Sequence, residues 1–291
     1  MATEMKKVGD QAKQQTTGHE WDGIEELNTP LPKWWLWMFY ATIVWSIAYW
    51  VVYPSWPLVS SYASGVLDWR SRAAVEQELD SLKSFRAPLV AKLREAPLEE
   101  ILKQPELLNL ARALGRVTFQ DNCAGCHGVG ATGAKGYPNL NDDEWLWGGK
   151  PEEILFTILY GVRSGHDKAH VGNMPAFGRD GLLKMPEIVA VAEYVRTLSG
   201  LTAATGVDVV KGKTVYEAQC AACHGDTGKG RAEVGAPDLT DAIWLYGADQ
   251  KTIVDGIYHG RGGVMPAWVD RLDDITIKAL TAYIHSLGGG K

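Results

Sequence analysis

One continuous apolar stretch dominates the N-terminal part of the chain. Residues 34–53 read WWLWMFYATIVWSIAYWVVY and contain no charged side chain. As an α-helix this stretch is about 30 Å long, which matches the hydrocarbon core of a bilayer. Prolines bound it on both sides, and tryptophan and tyrosine residues crowd both ends, as interfacial aromatic belts do. The pattern predicts a transmembrane helix over residues 34–54 rather than a buried core helix.

The charges around this stretch predict its orientation. Four lysines precede it: Lys6, Lys7, Lys13 and Lys33. After it, the nearest basic residues are Arg70 and Arg72. Because lysine and arginine are enriched on the cytoplasmic side of membrane proteins, we expect residues 1–33 in the cytoplasm and the C-terminal part outside. The stretch is too long, and begins too far into the chain, for a cleaved signal peptide, so it should persist as an anchor.

Beyond the anchor, the hydrophobic pattern is helical. Residues 55–108 are predicted to be a helical spacer, because the sequence from Asp68 to Asn109 is charged and mostly helical in pattern, with interruptions at Pro88, Pro97 and Pro105. From residue 109 onward, apolar residues recur at helical spacing and no run alternates with a period of two. This pattern predicts an all-α fold.

The part of the chain after the spacer contains the same pattern twice. ALGRVTFQDNCAGCHG corresponds to VKGKTVYEAQCAACHG, and GNMPAF corresponds to GVMPAW. The cysteine motifs are 97 residues apart and the Met-Pro pairs 91. Each repeat is long enough for its own core, so we expect two tandem domains joined by a short link. We refer to residues 109–200 as copy one and to residues 207–291 as copy two.

Composition narrows the functional classes. The hydrophobic fraction of 46% and the charged fraction of 22% suit a globular protein with one membrane span. The net charge of −6 argues against nucleic acid as a partner. All four cysteines lie in the two repeated motifs, which leaves none for a structural disulfide.

The motif Cys-x-x-Cys-His carries the chemistry. Its residues are Cys123, Cys126 and His127 in copy one, and Cys220, Cys223 and His224 in copy two. A disulfide gives no reason for the neighbouring histidine, a redox dithiol expects a βαβ context, and zinc needs four ligands. Attachment of haem c uses the two thiols for thioether bonds and the histidine as an axial iron ligand. The sequence therefore predicts two covalently bound haems c.

Methionine is the expected sixth iron ligand. Met174 and Met265 precede proline at equivalent positions of the two copies. A thioether ligand raises the reduction potential, and a filled sixth position excludes small ligands. Met185 also precedes proline, but that proline suits the start of a helix. His166 and His170 are the bis-histidine alternative; they lie in a loop that copy two lacks, and we expect them at the surface with a role left open.

Other matched residues are expected around the haems. Pro138 and Pro237 should each aim a backbone carbonyl at the axial histidine and so orient its ring. Arg163 and Arg261 are candidate partners for haem propionates, with simple solvation as the alternative.

Together with these motifs, the segment GHEWDGIEELNTPLPKWW before the apolar stretch resembles the diheme subunit III of cbb3-type cytochrome c oxidases. The resemblance covers nearly the whole chain and implies one anchor followed by two class I cytochrome c domains. It implies that electrons pass from a cytochrome c donor through both haems and a mono-haem c subunit. They would then reach the catalytic haem-copper subunit, which reduces O2 and pumps protons in the respiratory chain. The location implied is a bacterial inner membrane, with the haem domains in the periplasm.

The resemblance also implies that the chain has no catalytic activity of its own. It leaves one question of ligation open, because Met174 and Met265 could each serve the haem of its own copy or of the other. Two other functional classes stay possible from the residues. One is a free-standing, membrane-anchored diheme electron shuttle, and the other is a diheme peroxidase, which needs one iron with an open position.

Overall fold

The computed structural model describes residues 16–289, so Lys6, Lys7 and Lys13 of the predicted orientation lie outside the described residues. The chain forms two compact units, one up to Phe85 and one from Arg86 onward. The helices and strands are, in chain order, β1 Thr16–Trp21, β2 Ile24–Leu27, α1 Lys33–Val52, α2 Ser71–Glu95, α3 Leu98–Lys103, α4 Pro105–Asn122, α5 Ala124–His127, α6 Pro151–Tyr160, α7 Met185–Leu198, α8 Val209–Gln219, α9 Ala221–His224, α10 Gln250–His259 and α11 Asp274–His285.

The described part of the N-terminal unit begins with a β-hairpin that the sequence pattern did not predict. β1 and β2 pair antiparallel, with Trp21 opposite Ile24. Asp22 and Gly23 form the turn with φ values of 47° and 83°. Two positive φ values are what the favoured two-residue hairpin turn requires. The hairpin precedes the anchor, and both copies of the repeat are helical, as predicted.

Helix α1 is the predicted anchor, shorter than predicted by two residues at its C-terminal end. Among the described residues, it is the one helix long and apolar enough to cross a membrane. None of its side chains is buried. Its exposed apolar surface therefore fits a lipid environment better than water.

The predicted spacer, residues 55–108, is helical from Ser71 onward, whereas residues 55–70 form no helix. Helix α2 continues through Pro88, and α3 follows it after a short break. Leu93 of α2 and Ile101 of α3 are fully buried in a core that they share with Ala279 of α11. The first helix of copy one begins at Pro105, a few residues before the predicted start of the domain.

The two copies of the repeat exchange their last helices. Helix α4, the first helix of copy one, packs against α11, the last helix of copy two. Helix α8, the first of copy two, packs against α7, the last of copy one. The middle helices follow the same rule, since α6 contacts α11 and α10 contacts α7. We call the two packed sets lobe A (α4, α5, α6 and α11) and lobe B (α7, α8, α9 and α10).

Each lobe has a core built from both copies. In lobe A, Phe119 and Ile158 of copy one bury their side chains against Leu280 of copy two. In lobe B, Tyr216 of copy two packs with Val191 of copy one. The limits 109–200 and 207–291 thus mark sequence copies, whereas each packed lobe draws helices from both.

The exchanged helices approach most closely at two glycines. A Cβ atom on Gly115 of α4 would overlap the backbone carbonyl oxygen of Ala279 in α11. In lobe B, a Cβ atom on Gly212 of α8 would overlap the carbonyl oxygen of Ala190 in α7. Because backbone atoms cannot move aside as a flexible side chain can, these positions leave no room for alanine.

We expect Gly115→Ala to lower the free energy of unfolding by about 1–3 kcal/mol, the usual cost of overpacking a core. Gly125→Ala is the matched control, because Gly125 is also helical and has no heavy atom within 4 Å of its ideal Cβ position. Helix propensity alone favours alanine at both positions. The measurement is thermal unfolding of the two variants and the wild type. Stabilisation by Gly115→Ala would contradict the close approach of α4 and α11.

Candidate functional site

Each Cys-x-x-Cys-His motif lies on a single tight turn. Helix α4 ends at Asn122, Cys123 caps it, and the four residues of α5 follow immediately. Gly128 then ends α5 with a φ of 79°, in the left-handed region that favours glycine. Copy two repeats this arrangement, with Cys220 at the end of α8 and Gly225 after α9. Each turn therefore presents two thiols and an imidazole from five consecutive residues.

The cysteines are free thiols of two kinds. Cys126 and Cys223 are exposed, and Cys123 and Cys220 are half-buried. Burial raises the pKa of Cys123 and of Cys220 to about 11. A redox dithiol needs a thiol with a lowered pKa, so this environment argues against that interpretation.

A backbone carbonyl orients each histidine, as predicted. Nδ1 of His127 lies 2.9 Å from the carbonyl oxygen of Pro138, and Nδ1 of His224 lies 3.1 Å from that of Pro237. A proton on Nδ1 donates to the carbonyl and leaves Nε2 as the free, unprotonated nitrogen. Burial lowers the pKa of both histidines, which favours the neutral ring that a metal requires.

The methionine segments cross between the copies. Met265 exchanges two backbone hydrogen bonds with Val162, at 2.9 and 3.0 Å, and the N–H of Trp268 donates to the carbonyl oxygen of Ile158 in α6. The side chain of Met265 packs in lobe A, against the same core as Cys123. Met265 of copy two therefore lies in the lobe that holds the first cysteine motif.

Met174 makes the reciprocal crossing. Its N–H donates to the carbonyl oxygen of Arg261 at 2.9 Å, and the N–H of Phe177 donates to that of Ile257 in α10 at 3.0 Å. The Met174 side chain packs in lobe B, against the same core as Cys220. The structure thus brings each methionine toward the cysteine motif of the other copy.

The rival ligands lie elsewhere. Met185 is the first residue of α7 and is 48% exposed, as expected for a residue followed by a helix-starting proline. His170 is half-buried rather than at the surface: its ring stacks on Trp147 at 4.2 Å, and its Nε2 lies 3.1 Å from Oγ1 of Thr157. His166, also half-buried, accepts the backbone N–H of Lys168 at Nδ1.

A group of carboxylates from both copies escaped the sequence interpretation. Glu144 of copy one has an oxygen within 4.8 Å of oxygens of Asp238 and Asp241 of copy two. Burial, with a hydrogen bond and repulsion from Asp241, raises the pKa of Glu144 to about 7. No periodicity or spacing within one copy could reveal this group, because its members come from different copies.

The raised pKa predicts a pH dependence of stability. Between pH 4.5 and 7 the folded chain retains a proton on Glu144 that the unfolded chain has released, so stability falls as the pH rises through this window. We expect Glu144→Gln to remove the part of this fall in stability that comes from Glu144. The measurement is the unfolding midpoint of wild type and variant at pH 5 and pH 8, with the exposed Glu217→Gln as control. An equal decrease in wild type and Glu144→Gln would contradict the prediction.

The donor set of each lobe fits haem c. Two thiols on one turn, a neutral imidazole with its Nε2 free and a packed thioether are the groups that covalent attachment and six-coordination use. Trp145 packs on the core of lobe A, as Cys123 does, and Trp244 packs on the core of lobe B, as Cys220 does. Apolar and aromatic surroundings of this kind suit a flat, largely apolar macrocycle.

Comparison with known proteins agrees with this chemistry. Residues 13–60 match the family described as the N-terminal domain of cytochrome oxidase-cbb3, FixP. Residues 113–199 match cytochrome c, and residues 207–284 match cytochrome C oxidase, cbb3-type, subunit III. The cytochrome c domains indicate that the chain binds haem c.

Relatives that align over nearly the whole chain identify the family more specifically than the matches to single domains do. The chain is 59% identical to the Cbb3-type cytochrome c oxidase subunit FixP of Azorhizobium caulinodans over 95% of this chain and 94% of the relative. It is 59% identical to the subunit of the same name from Bradyrhizobium diazoefficiens over 95% of both chains. Identity to the subunit CcoP of Azospirillum sp. (strain B510) is 50% over 95% of this chain and 96% of the relative. The chain therefore belongs to the FixP/CcoP family of cbb3-type cytochrome c oxidase subunits.

Proposed function

We propose that the chain relays electrons through two covalently attached haems c, one in each lobe. The residues of the lobe A centre are Cys123, Cys126, His127 and Met265, and those of the lobe B centre are Cys220, Cys223, His224 and Met174. The reciprocal backbone pairing of Met265 with Val162 and of Met174 with Arg261 carries this assignment. It favours ligation across the copies over ligation within each copy.

The side chains of each centre are suited to electron transfer without substrate binding. Bound haem c would be held by thioether bonds at the two cysteines and by the oriented histidine, and the methionine would be its remaining iron ligand. Bound haem c supplies a one-electron iron couple, whose potential a methionine ligand raises. Because histidine and methionine would occupy both iron positions outside the macrocycle, we infer that neither lobe performs chemistry on a small molecule and that the chain has no activity of its own.

The relatives are named as subunits of a cbb3-type cytochrome c oxidase, so other subunits of such an oxidase are the partners of this chain. We infer that the chain assembles with a catalytic haem-copper subunit and a mono-haem c subunit and accepts electrons from a cytochrome c. The net charge of −6 suits a basic donor, since complementary charge steers association. We place the residues before α1 in the cytoplasm and both lobes in the periplasm of a bacterial inner membrane. The lysines before α1 support this orientation, and the exposed apolar surface of α1 supports the membrane span.

Purification in mild detergent tests the partners. We expect the full chain, carrying an affinity tag, to copurify with haem b and copper in a particle much larger than its own 31.9 kDa. Haem c alone, in a particle of the single chain, would instead identify a free-standing electron shuttle.

Binding of small ligands tests whether the methionines fill the sixth coordination position of both irons. We expect the reduced protein to bind CO, and the oxidised protein to bind cyanide, slowly or not at all at neutral pH, because methionine would occupy the position that these ligands need. Rapid binding to one of the two haems would support a peroxidase and contradict a simple relay.

A further inference from the structure

The segments that carry Met174 and Met265 lie next to each other. The N–H of Arg261 donates to the carbonyl oxygen of Met174, and Val162 makes the matching contact with Met265. An ideal Cβ on Gly262 would lie 3.5 Å from the Cβ of Asn173, the residue before Met174. A side chain placed between the two segments can therefore contact both.

Arg163 is that side chain. Its Nε donates to the carbonyl oxygen of Gly263 at 2.6 Å, and its Nη1 donates to the carbonyl oxygen of Gly172. Gly172 lies two residues before Met174, and Gly263 lies two residues before Met265. One planar guanidinium thus donates to the same position of both methionine segments, which its fixed fork of donors permits.

The backbone of Arg163 is held in an unusual conformation. Its φ of 50° lies in the left-handed region, which costs free energy for a residue with a long side chain. The N–H of Arg163 donates to the carbonyl oxygen of His170 at 2.6 Å, and the neighbouring Val162 pairs with Met265. These contacts hold the backbone in place, and the half-buried side chain is aimed at the two carbonyl oxygens.

The corresponding position of copy two has no side chain. Gly161 and Gly260 each follow a middle helix, so Val162 corresponds to Arg261 and Arg163 to Gly262. The atoms Cδ and Nε of Arg163 lie 3.8 Å from the ideal Cβ position of Gly262. The guanidinium therefore comes from one copy and serves both, and the matching of Arg163 with Arg261 in the sequence was one residue out of register.

We infer that Arg163 is a positioning residue that fixes both axial methionines and so couples the ligation of the two haems. The inference rests on the proposed ligation by Met174 and Met265. Methionine has three rotatable bonds, so the backbone near it must be fixed if its sulfur is to occupy one place. Loss of the guanidinium releases the two segments together, and both haems should respond although one residue has changed.

The test uses the full chain with both haems, in detergent, as wild type, Arg163→Gln and Arg179→Gln. Arg179 is the matched control, because it is exposed and its Nε pairs with the neighbouring Asp180 at 3.1 Å. Two quantities are measured: the far-red absorption band that marks methionine bound to ferric haem, and the potentials of the two one-electron steps in a redox titration. We expect Arg163→Gln to weaken the band and to lower both potentials, and Arg179→Gln to match wild type.

Several results would overturn the inference. If the wild-type protein shows the band but Arg163→Gln changes neither potential, or only one of them, Arg163 does not couple the two sites. Absence of the band from wild type would overturn the proposed ligation itself and the inference with it. If Arg163→Gln takes up no haem, Arg163→Lys replaces it: one terminal nitrogen cannot reproduce the fork, so at least one potential should fall, and two wild-type potentials would contradict the coupling.

Discussion

Replacing Met265 with alanine should leave an open coordination position on the iron of the haem attached at Cys123 and Cys126, although this methionine belongs to copy two. Met265 packs in lobe A beside Cys123, and its backbone pairs with Val162. Without the thioether, the iron of that haem loses its sixth ligand, so its potential falls and CO gains access. The haem at Cys220 and Cys223 should keep its own spectrum, potential and resistance to CO.

The comparison is made in chains that carry one haem. Cys123→Ser with Cys126→Ser leaves only the haem of copy two, on which Met174→Ala should act and Met265→Ala should not. Met185→Ala is a control in each background, because Met185 is exposed at the start of α7. If Met174→Ala leaves this remaining haem unchanged while Met265→Ala opens it, ligation occurs within each copy and the proposed crossing is wrong.

The local chemistry of the site follows from the sequence because it depends on neighbouring residues. A Cys-x-x-Cys-His turn brings its three functional groups together wherever it folds, and the anchor needs only length and apolarity. The carbonyls of Pro138 and Pro237 were also predictable, because each lies 11 or 13 residues after its histidine in a matched loop. Each of these features is specified by residues that are close together in the sequence.

The exchange of helices was not predictable, since it depends on a choice between nearly equivalent partners. Both copies have a glycine in the first helix and a tyrosine in the last, so α4 could pack on α7 or α11 with similar chemistry. Hydrophobic periodicity gives the buried face of a helix but not its partner. The Met174 and Met265 assignments, the carboxylates around Glu144 and the contacts of Arg163 all depend on this choice.

The hairpin was missed for a different reason. Both strands are exposed on both faces, so they lack the alternation of apolar and polar residues that marks a half-buried strand. The signal lay in the turn, where Asp22-Gly23 is a favoured two-residue hairpin connection. Turn chemistry was the better guide in this segment than hydrophobic pattern.

The exchange also predicts opposite results for cutting the link and for removing copy two. If a protease site is built into residues 201–206 of the haem-loaded chain, cleavage should leave both fragments in one particle with an unchanged haem spectrum. Lobe A keeps α11 from the second fragment, and lobe B keeps α7 from the first. Two independent tandem domains would separate on size-exclusion chromatography after the same cut.

A chain that ends at Gly206 should instead fail to form the first haem centre, although it contains all of copy one. It lacks Met265, and it lacks α11, whose buried residues include Ile277, Leu280 and Ile284. Burial of each such side chain contributes about 1.5–3 kcal/mol, so their combined loss is comparable with the about 5–15 kcal/mol that keeps a domain folded. We expect little haem at Cys123 and Cys126 in this chain, with the spectrum of an iron that lacks methionine. A stable, methionine-ligated haem in the shortened chain would show that copy one folds alone and that the exchange is dispensable.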